Sequence, residues 1–129
     1  MTVPTSPLTI DLLHEAARLT PHDETGRRAE TLVKTPTLRV VLVTMNAGAE
    51  LNEHTAPSTI TVQPLQGRFL FSTADAEQEL APGTLISVEG GVRHAVRCLE
   101  QGAFLLTLAW QGPGPAESAG EGKGIADSP

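Results

Sequence analysis

Residues 37–73 carry the pattern that decides the fold class, and they read TLRVVLVTM-NAGAELNEHTAPS-TITVQPLQ-G-RFLFST. Short segments rich in Val, Ile, Leu and Thr alternate here with turn-forming residues. The pattern continues at 84–88 (TLISV), 94–99 (HAVRCL) and 103–110 (AFLLTLAW). Many short strands at roughly ten-residue spacing are typical of an antiparallel sandwich or barrel. The sequence therefore predicts an all-β domain, with turns between its strands that include Gln66-Gly67 and Gln101-Gly102.

The segments on either side of this region differ from it in composition. Residues 10–19 (IDLLHEAARL) have apolar side chains close to an i, i+3, i+4 spacing and predict a short helix. Residues 112–129 hold five glycines and three prolines, and we expect them to be disordered. The predicted organisation is an arm with a short helix and an edge strand at 1–35, a barrel at 36–111, and this tail.

Composition limits the classes of function. The length of 129 residues suits one domain. Nine basic against fifteen acidic residues give a net charge of -6, without the Lys and Arg cluster that nucleic acid or an anionic membrane surface requires. The single cysteine, Cys98, excludes an intrachain disulfide. The sequence shows no signal-peptide pattern and no apolar run of ~20 residues. These features predict a cytoplasmic protein that binds neither nucleic acid nor membranes.

Two segments each place a histidine near a turn at the edge of a strand. The first runs from Gly48 through five residues to His54 and closes at Gly67, and the second runs from Gly83 to His94. This spacing resembles the two motifs of small single-domain cupins of the RmlC-like, conserved-barrel type, over more than half of the chain. The resemblance implies an antiparallel double-stranded β-helix, a jelly-roll barrel, with the short helix as an N-terminal extension.

The same resemblance implies a degenerate metal site. Cupin metal centres usually have three His and one Glu, or four His, and those positions correspond here to His54, Ala56, Ile60 and His94. Only His54 and His94 are metal-ligating residues. Strand alternation puts Cys98 on the same face as His94, and a bulge would turn Gln63 inward, so either could be an extra ligand. His22 could fold over the mouth. The metals implied are Fe, Mn, Ni or Zn.

Three functions remain open. In the first, the barrel binds a small molecule with a metal absent or weakly held, in a pocket lined by His54, Ala56, Ile60, Val62, His94, Val96 and Cys98. In the second, a metal on His54 and His94 makes the chain a dioxygenase, isomerase or decarboxylase. In the third, the chain is a dimeric scaffold with a vestigial pocket, since small cupins commonly form homodimers. The chain has no tyrosine, which excludes the His–Tyr acid–base pair of sugar epimerases.

Overall fold

The computed structural model describes residues 6–110, so the tail predicted at 112–129 lies outside the described residues. These residues form one helix and seven strands, which are α1 (Leu12–Arg18), β1 (Arg27–Lys34), β2 (Leu38–Met45), β3 (Glu50–His54), β4 (Ile60–Thr73), β5 (Glu77–Leu80), β6 (Ile86–Val88) and β7 (His94–Ala109). Every strand pairing is antiparallel. The prediction of an all-β domain with a short N-terminal helix is confirmed.

The long strands β4 and β7 organise the sheet, because they pair with each other along most of their length. The first half of β4 also pairs with β6, and its second half with β5. The first half of β7 also pairs with β3, and its second half with β2, beside which β1 lies. The strands therefore form two halves, β1-β2-β7-β4-β6 and β3-β7-β4-β5, which share the two long strands.

The two halves meet at a corner where β4 and β7 come very close together. A Cβ atom on Gly102 would overlap the carbonyl oxygen of Gln66, and one on Gly67 would overlap that of Glu100. Gly67 also has a φ of +80°, which is strained for other residues. The pairing register shifts at the same place. The turns predicted at Gln66-Gly67 and Gln101-Gly102 are therefore wrong, because these glycines permit close approach within continuous strands.

The inner faces of both halves share one core. Its largest fully buried side chains include Phe69, Phe71, Phe104, Ile60 and Leu106. The helix α1 begins after Asp11, whose carboxylate accepts a hydrogen bond from the backbone N–H of His14 at 3.1 Å and caps the helix. A second, smaller cluster fixes α1 and the following residue on the outer face of β2, and it consists of Ala16, Leu19, Leu42 and Ala103.

Strand β5 was not predicted from the sequence. Its residues are EQEL, and only Leu80 is buried, so the segment lacks the apolar alternation that predicts a strand. Pairing with the second half of β4 determines its conformation instead. Within residues 6–110, no helix has the length and apolar character needed to cross a membrane.

Candidate functional site

The structure brings together the histidines of the two sequence motifs. His54 ends β3 and His94 begins β7, and the two residues lie opposite each other in the pairing of these strands. The register shifts between Leu51 and His54, so the end of β3 is bulged beside the pair. The ring centroids are 4.4 Å apart with an interplanar angle of 67°, an edge-to-face contact.

Backbone carbonyl groups determine which nitrogen of each ring carries the proton. His54 Nδ1 lies 2.6 Å from the carbonyl oxygen of Asn52, and His94 Nδ1 lies 2.9 Å from that of Val92. A carbonyl oxygen can only accept, so each Nδ1 carries a proton and donates it. A neutral imidazole has one N–H, and each Nε2 therefore keeps a free lone pair.

Both Nε2 atoms are buried and have no hydrogen-bond partner among residues 6–110. Leaving a buried polar group unpaired costs ~1–3 kcal/mol. Burial lowers the pKa of His94; the hydrogen bond to Val92 opposes this shift, and the neighbouring His54 adds to it. The ring of His94 is therefore neutral at pH ~7, where it is a hydrogen-bond acceptor through Nε2.

The surroundings of the pair are apolar. The ring of Phe71 stacks on that of His94, with 5.4 Å between centroids and an interplanar angle of 14°. Ala56 is partly buried and packs against the core. The other residues predicted to line a pocket are all buried in this core, namely Ile60, Val62, Val96 and Cys98. The pair therefore lies at the border of the hydrophobic core.

Cys98 does not extend the histidine pair into a metal site. Its Sγ lies 3.1 Å from the carbonyl oxygen of Glu100 and 3.5 Å from that of Met45. Burial raises the pKa of the thiol to about 11, so it is protonated at pH ~7. The thiol is therefore held against two backbone carbonyl groups. The alternation that placed Cys98 inside is correct, but the expected extra ligand is a buried apolar residue.

Gln63 and His22 also lie outside any such site. Gln63 is exposed between the buried Val62 and Pro64, because the register shift in β4 falls after Pro64 and leaves Gln63 on the outer face. His22 is exposed in the turn before β1. Residues 6–110 contain no group of three or more His, Cys, Asp or Glu side chains that could hold a metal ion. Catalytic metal sites typically have three protein ligands, so the two histidines alone do not fit one.

A cavity of about 290 Å³ is lined by neighbours of His94, although neither histidine lines it. Phe71, which stacks on His94, lines it, as does Val92, whose carbonyl accepts the His94 N–H. Thr73, the strand partner of His94, also lines the cavity. The remaining wall is mixed: Ala76, Ile86 and Val88 are apolar, whereas Gln78, Ser87 and Glu89 are polar.

Asn52 and Val92 are the residues of the site that the sequence did not reveal. Each acts through its backbone carbonyl and lies two positions before a histidine. A backbone acceptor has no side-chain identity, so residue type gives no signal for it. The bulge after Leu51, which also shapes this end of β3, has no Gly or Pro within Leu51–His54 to indicate it.

No protein-family model matches the chain, and no curated protein sequence matches it. Solved structures do match. A cupin superfamily protein from Desulfitobacterium hafniense DCB-2 has a TM-score of 0.65 at 17% identity, covering 69% of this chain and 82% of that one. An RmlC-like cupin from Shewanella frigidimarina NCIMB 400 has a TM-score of 0.64 at 20% identity, covering 75% and 85%.

A third similar structure is an RmlC-like cupin family protein with a double-stranded β-helix fold from Methanocaldococcus jannaschii. Its TM-score is 0.61 at 16% identity, and the match covers 69% of this chain and 84% of that one. At these identities the likeness concerns the fold. The chain therefore has the fold of these cupins, the double-stranded β-helix that its two motifs imply.

Proposed function

We propose that this cupin barrel binds a small organic molecule at the His54–His94 pair. The observation that carries the proposal is the presence of two buried Nε2 atoms, side by side, without a partner in residues 6–110. Folded proteins pair nearly all buried polar groups, so two such atoms together support a bound molecule as their partner. The apolar surroundings favour a compound that is itself apolar or weakly polar.

We place the body of this molecule in the cavity beside His94. Its volume of about 290 Å³ is near the lower end of the ~300–1,000 Å³ usual for ligand pockets, which suits a small compound. Phe71 belongs both to the cavity wall and to the contact with His94. Because neither histidine lines the cavity, we propose that the Phe71 side chain moves aside when the molecule binds.

A metal-dependent enzyme is the second candidate, and one observation favours it. Metal-binding histidines typically donate their other ring N–H to a carbonyl or carboxylate, as both Nδ1 atoms do here. The lack of a third ligand group in residues 6–110 argues against it. A divalent cation between two neutral rings would also lack the negative charge that compensates for desolvation.

Metal content and ligand binding together test the proposal. Untagged protein purified without chelator is analysed by elemental mass spectrometry and by native mass spectrometry, beside a His54→Ala/His94→Ala variant. A His14→Ala/His22→Ala variant removes two exposed histidines and is the matched control. We expect no stoichiometric metal, and an organic adduct that the first variant loses and the control keeps. Close to one metal per chain, lost only in the first variant, would overturn the proposal in favour of the enzyme.

The dimer remains a separate prediction. β1 lies at one edge of the sheet and has exposed residues along it, including Arg28, Thr31 and Lys34. A second copy could pair with this edge. Light scattering on the purified chain at several concentrations measures the mass directly. A monomer mass throughout would contradict the homodimer.

A further inference from the structure

We propose that the ligand of the histidine pair is a neutral molecule that presents an –NH2 group to both Nε2 atoms, with its apolar body in the adjoining cavity. This inference rests on the proposed function and specifies the class of molecule bound. It concerns whether the site donates or accepts hydrogen bonds, which the geometry of the two rings determines.

The two rings cannot satisfy each other. At 4.4 Å between centroids they are close enough to interact, yet neither Nε2 has a partner among residues 6–110. A hydrogen bond between them would require one ring to carry its proton on Nε2 and turn an Nδ1 lone pair toward a carbonyl oxygen. The carbonyls of Asn52 and Val92, at 2.6 and 2.9 Å, disfavour that tautomer. Both Nε2 atoms are therefore acceptors, and their common partner must be a donor.

An anionic ligand does not fit this arrangement. It would need an N–H donor or a positive charge at the pair, whereas each Nδ1 donates to a backbone carbonyl and leaves Nε2 as an acceptor. The described lining of the cavity includes Glu89 but neither Lys nor Arg. The nearest arginine in sequence, Arg93, is exposed and donates to Glu53 at 3.0 Å. The site therefore offers lone pairs and no positive charge to a ligand.

A single amino group has the two donors that a pair of acceptors requires. An –NH2 group has two N–H donors on one atom, whereas a hydroxyl has one. The apolar wall of Phe71, Ile86 and Val88 favours a hydrocarbon or aromatic body attached to that group. Neutral aromatic amines and primary amides of small size have this combination of features.

The tautomers are tested first, on the wild-type chain and without a ligand. Long-range ¹H–¹⁵N correlation spectra distinguish a protonated ring nitrogen from one with a lone pair. We expect both His54 and His94 to have the proton on Nδ1 and the lone pair on Nε2. A proton on Nε2 of either ring would overturn the inference about donors and leave the existence of a binding site untouched.

Three probes of similar shape then measure the preference for donors. Aniline, phenol and toluene have two, one and no donors, and their binding is followed on the ring signals of the two histidines. We expect affinity to fall in that order, by about threefold to tenfold for each donor lost. We expect benzoate, an anion of similar size, not to bind. The His94→Asn variant lacks Nε2, but its amide can still donate to the Val92 carbonyl. In this variant the difference in affinity between aniline and phenol should disappear.

The outcomes separate the two proposals. Toluene binding as tightly as aniline, or benzoate binding more tightly, would overturn the donor preference while supporting a binding site at the pair. If none of the four probes perturbs the ring signals, and zinc chloride titrates both rings with one ion per chain, the site is a metal site and both proposals fall. Affinity in the expected order, with the step lost in His94→Asn, supports both.

Discussion

Strands β4 and β7 make close contacts at two places, the corner and the end that carries the histidines. The two places differ in which atoms come close together. At the corner, Gly67 and Gly102 allow two backbones to approach so closely that a single added carbon would overlap a carbonyl oxygen. At the other end, His54 and His94 bring two polar side-chain atoms into the interior without giving them partners among residues 6–110. We expect the corner to be required for the fold and the histidine pair to lower the stability of the ligand-free chain. Such a contrast is typical of a scaffold that carries a binding site.

Gly102→Ala should have the largest effect on stability. The added methyl group would overlap the carbonyl of Gln66, a backbone atom that cannot move without breaking the corner. We expect a loss of more than about 4 kcal/mol in the free energy of unfolding, measured with urea. Gly83→Ala is the control, because Gly83 has a φ of +95° but open space around it, and it should cost about 1–2 kcal/mol. Equal losses for both variants would contradict the steric account of the corner.

His94→Leu should change stability in the opposite direction. The variant removes the unpaired Nε2 and one hydrogen bond to the carbonyl of Val92, a residue that is itself exposed. Removing the buried unpaired atom outweighs losing the bond, so we expect an increase of up to about 2 kcal/mol in the free energy of unfolding, with binding abolished. A loss of stability comparable to that of Gly83→Ala would show that the histidine pair stabilises the fold, as the corner does. The contrast between the two places would then disappear.

The stability of the wild-type chain should also depend on pH through His94. Burial holds its pKa in the folded chain below the usual value, so the unfolded chain binds more protons as the pH falls. The contribution that neutral His94 makes to the free energy of unfolding is therefore fully present above pH ~6.5, and it is lost as the pH falls below that value. Urea unfolding at several pH values between about 5 and 8 measures this slope. We expect His94→Leu to flatten it and His14→Leu, at an exposed position, to leave it unchanged.

Arg68→Gln should have the smallest effect. Arg68 lies beside the corner and donates to both Glu79 and Glu100, which lie on β5 and β7. All three side chains are well exposed, and exposed ion pairs contribute little to stability. We expect a slight fall in the urea midpoint that disappears at about 1 M salt, where the screening length is ~3 Å. A large fall at low salt would show that the corner depends on this charge network as well as on its glycines, and a fall that persists at about 1 M salt would contradict the electrostatic account of Arg68.

Much of the fold could be predicted from the sequence because apolar alternation and turn residues are local signals. The spacing of the two motifs identified His54 and His94, and alternation placed Ile60 and Val62 in the interior. Local signals could not show that Gly67 and Gly102 belong to bends, since a glycine in a turn and a glycine at a close crossing look alike in sequence. The difference depends on which strand lies beside each of them.

The site could be predicted less fully for a similar reason. Cys98 is on the face that alternation assigns, but its thiol lies against the carbonyls of Met45 and Glu100, which no pattern in the sequence indicates. The tautomers of the two histidines likewise depend on backbone oxygens. Residue types therefore indicated the candidate site, and backbone geometry determines which ring nitrogens of its histidines donate.

The continuity of β4 and β7 has a consequence for how the chain folds. Of the residue pairs along these strands, Thr73 and His94 enclose the shortest loop, and Ile60 and Leu108 enclose the longest. Because closing a shorter loop costs less entropy, we expect pairing to start near His94 and to extend past the corner toward Ile60. Stopped-flow refolding tests this order: Val96→Ala should slow folding, and Leu108→Ala should mainly speed unfolding. The end of the β4–β7 pair that carries the histidines would then be the folding nucleus. Substitutions that alter binding at this end would also change the folding rate.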